Sequence, residues 1–195
     1  MIKEERIKAH QMIVSPWYQP NPLAHLNNER DAYHINWTLK NLEKYNLKSV
    51  LDYGCFDGWL DFLLIHSGIT DVTGIELVPS LVEAARRYTF TNNLTYKIYE
   101  GFLTDVVFDR TFDVVLCYEV LEHIPLEIVK EYIQILKKIS KMMFVSLPNQ
   151  KAEDNQPQHL WTPTVEIIKD LFGESSLIEY HEFKGIPGNW FINAF

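Results

Sequence analysis

From Ser49 to Trp59 the chain reads Ser-Val-Leu-Asp-Tyr-Gly-Cys-Phe-Asp-Gly-Trp: a short apolar run that ends in an acid, turns through two glycines and opens a helix. No other stretch constrains the fold as strongly. A parallel α/β sheet presents its backbone to a nucleotide-like ligand in this way. Glycine supplies the left-handed dihedrals and the close approach that a Cβ would block. A dinucleotide fingerprint starting at Gly54 requires glycine at 56 and 59, where this chain has Phe56 and Trp59. The turn therefore suits a different adenosine-containing ligand.

Alternation follows. Apolar runs at 49–53, 71–76, 95–99, 112–117 and 142–146 read as strands, separated by helical patterns at 58–67, from Pro79, and over 125–138. Thr162 reads as the N-cap of a last helix that Gly173 ends. A hairpin of 177–183 and 190–195 closes the chain, turning at 185–188. Upstream, a helix over 28–45 is expected, whereas Pro16, Pro20 and Pro22 preclude a regular helix before it. Strands alternating with helices give an α/β fold with a mostly parallel sheet, helices on both faces, and an antiparallel strand from the closing hairpin. One domain over 1–195 is expected, with 1–47 as an N-terminal lid and helix segment and 48–195 as the core.

The bulk properties narrow the function. A net charge of −8 argues against a broad grip on nucleic acid. No apolar run is long enough to span a membrane, and the charged start lacks the apolar segment of a secretory signal. The only two cysteines, Cys55 and Cys117, lack metal-type spacing and read as free thiols in a reducing compartment, so the cytoplasm is the expected location. Oligomeric state has no signature here.

Four points fall at the carboxyl ends of successive strands: Asp52 with its glycine loop, Glu76, the Glu100-Gly101-Phe102 step, and Tyr118-Glu119. Ligands of open α/β sheets bind along that edge, and an acid about twenty residues past a glycine loop suits ribose hydroxyls. Glu76 is thus the ribose candidate, with Leu77 and Phe102 flanking a flat base.

With those residues in view, the chain resembles the class I S-adenosylmethionine-dependent methyltransferases. Val50-Leu51-Asp52-x-Gly54-Cys55-x-x-Gly58 looks like their first motif, and Val72-Thr73-Gly74-Ile75-Glu76 like their ribose-binding strand. Phe112-Asp113-Val114-Val115 followed by Glu119-Val120-Leu121-Glu122-His123-Ile124 is similar to their fourth-strand motif, and Ser146-Leu147-Pro148-Asn149 to a common fifth-strand ending. The resemblance implies a Rossmann-like fold with a seven-stranded sheet and S-adenosylmethionine as cofactor. It implies that Asp52, Tyr53, Gly54, Cys55, Phe56, Asp57 and Gly58 hold the methionine part, Glu76 the ribose, and Leu77, Gly101 and Phe102 the adenine side. Tyr118 and Glu119 would face the methionine end or the acceptor. Phe56 departs from a common glycine, Phe102 from a common adenine-binding acid, and Lys138-Ile139-Ser140-Lys141 from the family's proline-glycine-glycine turn.

Methyl transfer from a sulfonium is a direct displacement, so the protein mainly places donor and acceptor in line. A hydroxyl acceptor must also lose a proton, and histidine titrates in the right range. His123 follows the fourth strand and is the general-base candidate, with Glu119 beside it. The expected reaction is O- or N-methylation of a small molecule or saccharide. Aromatic and imidazole groups from 16–28 and 148–161, with His34, would line the acceptor side: Trp17, Tyr18, His25, His159 and Trp161. A second reading uses the same residues differently. Glu119, Glu122, His123 and His159 resemble the metal-binding set of the small-RNA 3′-terminal 2′-O-methyltransferases, which would make this a metal-dependent RNA enzyme. A third is a cofactor-binding partner subunit without activity of its own.

Overall fold

The computed structural model describes residues 20–149 and 159–194. Trp17, Tyr18 and most of the 148–158 loop lie outside the described residues, as does Phe195. The fold rests on a seven-stranded mixed sheet with helices: the alternation predicts a mostly parallel sheet with a closing antiparallel strand, and the resemblance implies the strand count. The chain packs as two compact units, Met1–Val107 and Phe108–Phe195.

The first unit contains α1 (Pro22–His25), α2 (Glu29–Tyr45), β1 (Ser49–Tyr53), α3 (Trp59–His66), β2 (Asp71–Glu76), α4 (Pro79–Thr91) and β3 (Lys97–Glu100). Its three strands run parallel in the order β3-β2-β1. The proline-rich entry does form one helical turn, because Pro22 sits in the first turn, where its missing N–H has no partner to lose. Asn28 caps α2 through its side chain, which accepts from the N–H groups of Arg30 and Asp31. Strand β3 begins two residues later than its pattern suggests, since pairing with β2 starts at Thr73↔Lys97. Val50, Leu51, Phe62, Leu64, Ile75 and Val82 form the buried interior.

The second unit contains β4 (Phe112–Tyr118), α5 (Leu126–Ile139), β5 (Ser140–Pro148), α6 (Val165–Phe172), β6 (Leu177–Phe183) and β7 (Ile186–Ala194). β4 and β5 are parallel; β5-β7 and β7-β6 are antiparallel, so the predicted closing hairpin is present. Its turn is tighter than expected, at Lys184–Gly185, and β7 starts at Ile186 rather than Trp190. Gly185 takes the positive φ of 77° that this turn requires. α6 is capped by Thr164 instead of Thr162, because its hydroxyl oxygen is the one that meets the Ile167 N–H, at 3.3 Å. β4 is buried from Val114 through Cys117 without alternation, as expected of a strand covered on both faces. Cys55 and Cys117 are free and buried. Among the described residues no helix is long and apolar enough to cross a membrane.

Candidate functional site

In the first unit the glycine loop is tied directly to the carboxylate that ends β2. Gly54 and Cys55 donate their N–H groups to the Ile75 carbonyl, at 2.9 and 3.1 Å. The loop then turns through three positive φ angles, 82° at Gly54, 55° at Phe56 and 82° at Gly58, the last as N-cap of α3. Glu76 is buried, and its two oxygens accept from Phe56 N–H at 3.0 Å and Val78 N–H at 2.8 Å. Burial pushes its carboxyl up to about 7, against the pull of the backbone N–H groups of Val78, Phe56 and Leu77. The Glu76 carbonyl accepts from Gly101 N–H at 3.0 Å, which brings Gly101 to the same strand end. Phe102 is half-buried, its N–H occupied by Asp105 at 3.0 Å; Leu77 is half-buried beside Glu76.

Behind the loop lies a set of buried acids. Asp52, Asp57 and Asp61 are all sequestered from solvent. Asp57 accepts from Trp59 N–H at 3.1 Å and so helps to start α3. Burial raises both Asp52 and Asp61, and the Asp61 charge adds to the rise at Asp52. The Tyr96 hydroxyl donates to Asp61 Oδ2, while Asp61 Oδ1 is buried without a hydrogen-bond partner among the described residues. The same burial, reinforced by Asp61 and Asp52, raises the Cys55 thiol, so it is a packed group rather than a nucleophile. Tyr53 is buried at the end of β1. At the loop's rim the His25 ring stacks on Trp59 (centroids 4.4 Å apart, planes 7° apart), and His25 Nδ1 lies 2.8 Å from the Asp31 carboxylate. His34, by contrast, is buried in α2 and spent on the Arg30 carbonyl, at 2.9 Å.

The second unit gathers the other candidates. Glu119 follows β4 with φ at 57°, a left-handed conformation uncommon for a residue with a side chain. Its N–H donates to the Ser146 carbonyl at 3.2 Å. Its Oε1 accepts from Asn189 Nδ2 at 2.6 Å and from Ser146 Oγ at 3.2 Å. Tyr118, half-buried, pairs with Ser146 across β4 and β5.

Glu122 and His123 occupy a single 3-10 turn, Leu121–His123. The Glu122 side chain is entirely buried, and His123 Nε2 lies 3.8 Å from its Oε1. His159 joins them: one ligand atom each from Glu122, His123 and His159 lies within 4.8 Å of the others. Nδ1 of His159 is buried without a hydrogen-bond partner among the described residues, and desolvation lowers the ring's pKa, keeping a neutral lone pair. The segment is fastened in place by Leu160 N–H to the Glu122 carbonyl at 2.8 Å and by the buried Trp161 indole, which donates to the Leu121 and Ile124 carbonyls at 3.0 Å each. Of the four-residue metal set read from the sequence, three converge; Glu119 is engaged with Ser146 and Asn189.

Sequence reasoning missed Asp61, Tyr96 and Asn189, and placed Ser146 only within the fifth-strand ending. An acid inside the apolar run Trp-Leu-Asp-Phe-Leu-Leu-Ile was a signal for Asp61. Asn189 has no local signal at all, because its partner is 70 positions away.

Against known proteins, a family model described as a methyltransferase domain matches residues 50–142. The chain is 31% identical over 165 residues to the ubiquinone biosynthesis O-methyltransferase of Glaesserella parasuis serovar 5 (strain SH0165), covering 78% of this chain and 67% of that protein. It is 28% identical over 158 residues to the protein of the same name from Actinobacillus pleuropneumoniae serotype 5b (strain L20), covering 75% and 65%. The chain thus spans from about a third to two thirds of the length of the curated relatives it matches. Its fold is similar to the crystal structure of magnesium protoporphyrin IX methyltransferase from Synechocystis PCC 6803 with bound SAH, at a TM-score of 0.67 and 16% identity over 84% of this chain and 80% of that one. The motifs, the sheet and these relatives agree, and the chain belongs to the class I S-adenosylmethionine-dependent methyltransferases, whose methyl donor is its cofactor.

Proposed function

We propose that the protein transfers the methyl group of S-adenosylmethionine to a hydroxyl oxygen of a small molecule. The observation that carries this reading is the bond from Glu76 to the Phe56 N–H, which sets a ribose-binding carboxylate against the glycine loop. A carboxylate offers about four acceptor sites, so Glu76 keeps capacity for a diol beyond its backbone donors. Asp52 and the backbone from Tyr53 to Gly58 hold the methionine part, Leu77 and Phe102 flank the adenine beside Gly101, and Tyr118 with Glu119 faces the reacting end. The names of the relatives support oxygen over nitrogen as the acceptor. Saccharides stay within the same class, since they too present hydroxyls.

When bound, the donor supplies a methyl carbon on a good leaving group. The protein's share is alignment of the acceptor and removal of its proton. His123 is the proposed base; its ring is partly exposed and the buried Glu122 carboxylate lies near its Nε2. We further propose that residues 1–195 act as one methyltransferase domain, supported by a family match that runs across both units, and that the protein is cytoplasmic, supported by its free buried cysteines. Calorimetry with S-adenosylhomocysteine tests the donor site, and an acceptor screen of small hydroxylated molecules tests the rest. Tight binding without turnover of any acceptor would favour the non-catalytic partner subunit.

A second reading rests on the convergence of Glu122, His123 and His159. One carboxylate and two imidazoles suit a divalent transition metal, and the buried His159 Nδ1, without a hydrogen-bond partner among the described residues, supports that use. Bound there, the ion would supply Lewis acidity toward an acceptor oxygen. Metal analysis of the purified protein, with and without His159→Ala, separates the two readings.

A further inference from the structure

Asn189 stands at a telling place in the second unit. It pairs with Pro148, so it lies where β5 ends, the edge of an open α/β sheet at which ligands bind. Its side chain is fully buried. Nδ2 donates to Glu119 Oε1 at 2.6 Å, a short charge-assisted bond. An ionised carboxylate only accepts, so this bond fixes the orientation of the amide: nitrogen toward Glu119, oxygen on the other arm. That oxygen, Oδ1, is buried and meets no donor among the described residues.

A buried amide oxygen left without a donor costs about 1–3 kcal/mol, and native proteins keep few such groups without a reason. Here it sits beside a second departure from the ordinary. Glu119 holds a left-handed backbone, secured by its N–H on the Ser146 carbonyl and by Ser146 Oγ on its carboxylate. Strain of this kind gathers where geometry has been set for a ligand. The Glu119 carboxylate and the Asn189 amide are thus rigidly juxtaposed, and the oxygen left buried without a donor among the described residues is Asn189 Oδ1.

We propose that Asn189 is a positioning residue for Glu119 and a specificity-determining residue for the acceptor, its Oδ1 accepting a hydrogen bond from the hydroxyl to be methylated as the acceptor docks, before that proton passes to the base. The inference rests on the methyl-transfer reading above. It carries a chemical consequence for turnover: the product is an ether and has no hydrogen to give, so it forfeits the bond that held the substrate. The site therefore prefers hydroxyl over methoxy at the same position.

The test titrates the protein, saturated with S-adenosylhomocysteine, with catechol and hydroquinone and with their dimethyl ethers. Wild type is expected to bind a diol roughly tenfold more tightly than its ether. Asn189→Ala and the shape-mimicking Asn189→Leu, each checked for a native circular dichroism spectrum, should bring that ratio close to one while S-adenosylhomocysteine affinity stays put. Should Asn189→Ala fail to fold, Asn189→Leu alone decides; should both fail, the wild-type ratio decides. Equal binding of diol and ether by wild type, binding of neither, or discrimination retained in a folded variant would overturn the proposal. Failure of S-adenosylhomocysteine itself to bind wild type would instead strike the reading on which it rests.

Discussion

The Tyr96 hydroxyl is bonded to the Asp61 carboxylate, although 35 positions separate the two residues. Asp52, the acid that precedes the glycine loop, is buried as well, and its carboxyl is raised by burial and by the charge of Asp61. A loop that looks like a run of backbone is therefore braced from behind by buried, titratable side chains. Their protonation and their packing both bear on how the loop is held.

The proton content gives the first prediction. Burial lifts Glu76 to about 7 and raises Asp52 and Asp61 in the same direction. Between the ordinary carboxylate range and about 7, these three carboxyls hold more protons in the folded protein than in the unfolded chain, a difference that the lowered pKa values of the His34 and His159 rings offset only in part. Stability of the ligand-free protein falls as pH rises through that window. Urea unfolding at stepped pH measures it, and Asp61→Asn should flatten the slope. A stability that climbs between pH 5 and about 7 would contradict the assignment.

Packing gives the second. A Cβ at Gly74 would overlap the Tyr96 hydroxyl and the Cys55 thiol. Gly74→Ala must push apart the side chains that brace the loop. Overpacking of this kind costs about 1–3 kcal/mol. The thermal midpoint should drop accordingly, and S-adenosylhomocysteine affinity with it; an unchanged midpoint would show that the space can open freely.

Glu76→Gln probes the donor site with little change of shape. The neutral amide keeps one acceptor oxygen but puts an NH2 against the Phe56 or Val78 N–H. A lost charged hydrogen bond is worth about 1.5–3 kcal/mol, so S-adenosylhomocysteine should bind roughly 10- to 100-fold more weakly by calorimetry. Retention of wild-type affinity would mean that the ribose is held elsewhere.

His123→Gln separates proton transfer from alignment. Loss of a general base lowers kcat by about 100- to 10,000-fold and removes the acidic limb of the pH–rate profile. If Glu122, His123 and His159 instead hold an ion, a chelator should abolish turnover by wild type and His159→Ala should lose the bound metal. Turnover by His123→Gln that keeps its full pH profile would exclude the base role.

What was legible in the sequence was local. β1, its glycine turn and α3 occupy one continuous stretch, and Glu76 ends the next strand, so periodicity and glycine placement located all of them. The closing hairpin was legible for the same reason, though its turn is shorter than the glycine spacing suggested. Illegible were the pairings that depend on register. Asp61 meets Tyr96, and Glu119 meets Asn189, only after strands and helices have packed. His159 is intermediate: its arrival beside Glu122 and His123 was anticipated by resemblance, while the backbone bond that brings it there, Leu160 to Glu122, was not.

α5 passes into β5 without an intervening residue: Ile139 ends the helix and Ser140 opens the strand, with Ser140 Oγ still bonded to the Leu136 carbonyl. One residue more or less at that joint would swing the buried stripe of Val129, Ile133 and Leu136 about 100° around the helix axis. If the strand moved instead, its alternating faces would exchange places. With no slack to absorb either displacement, descendants of this chain are expected to vary in composition at the joint but never in length.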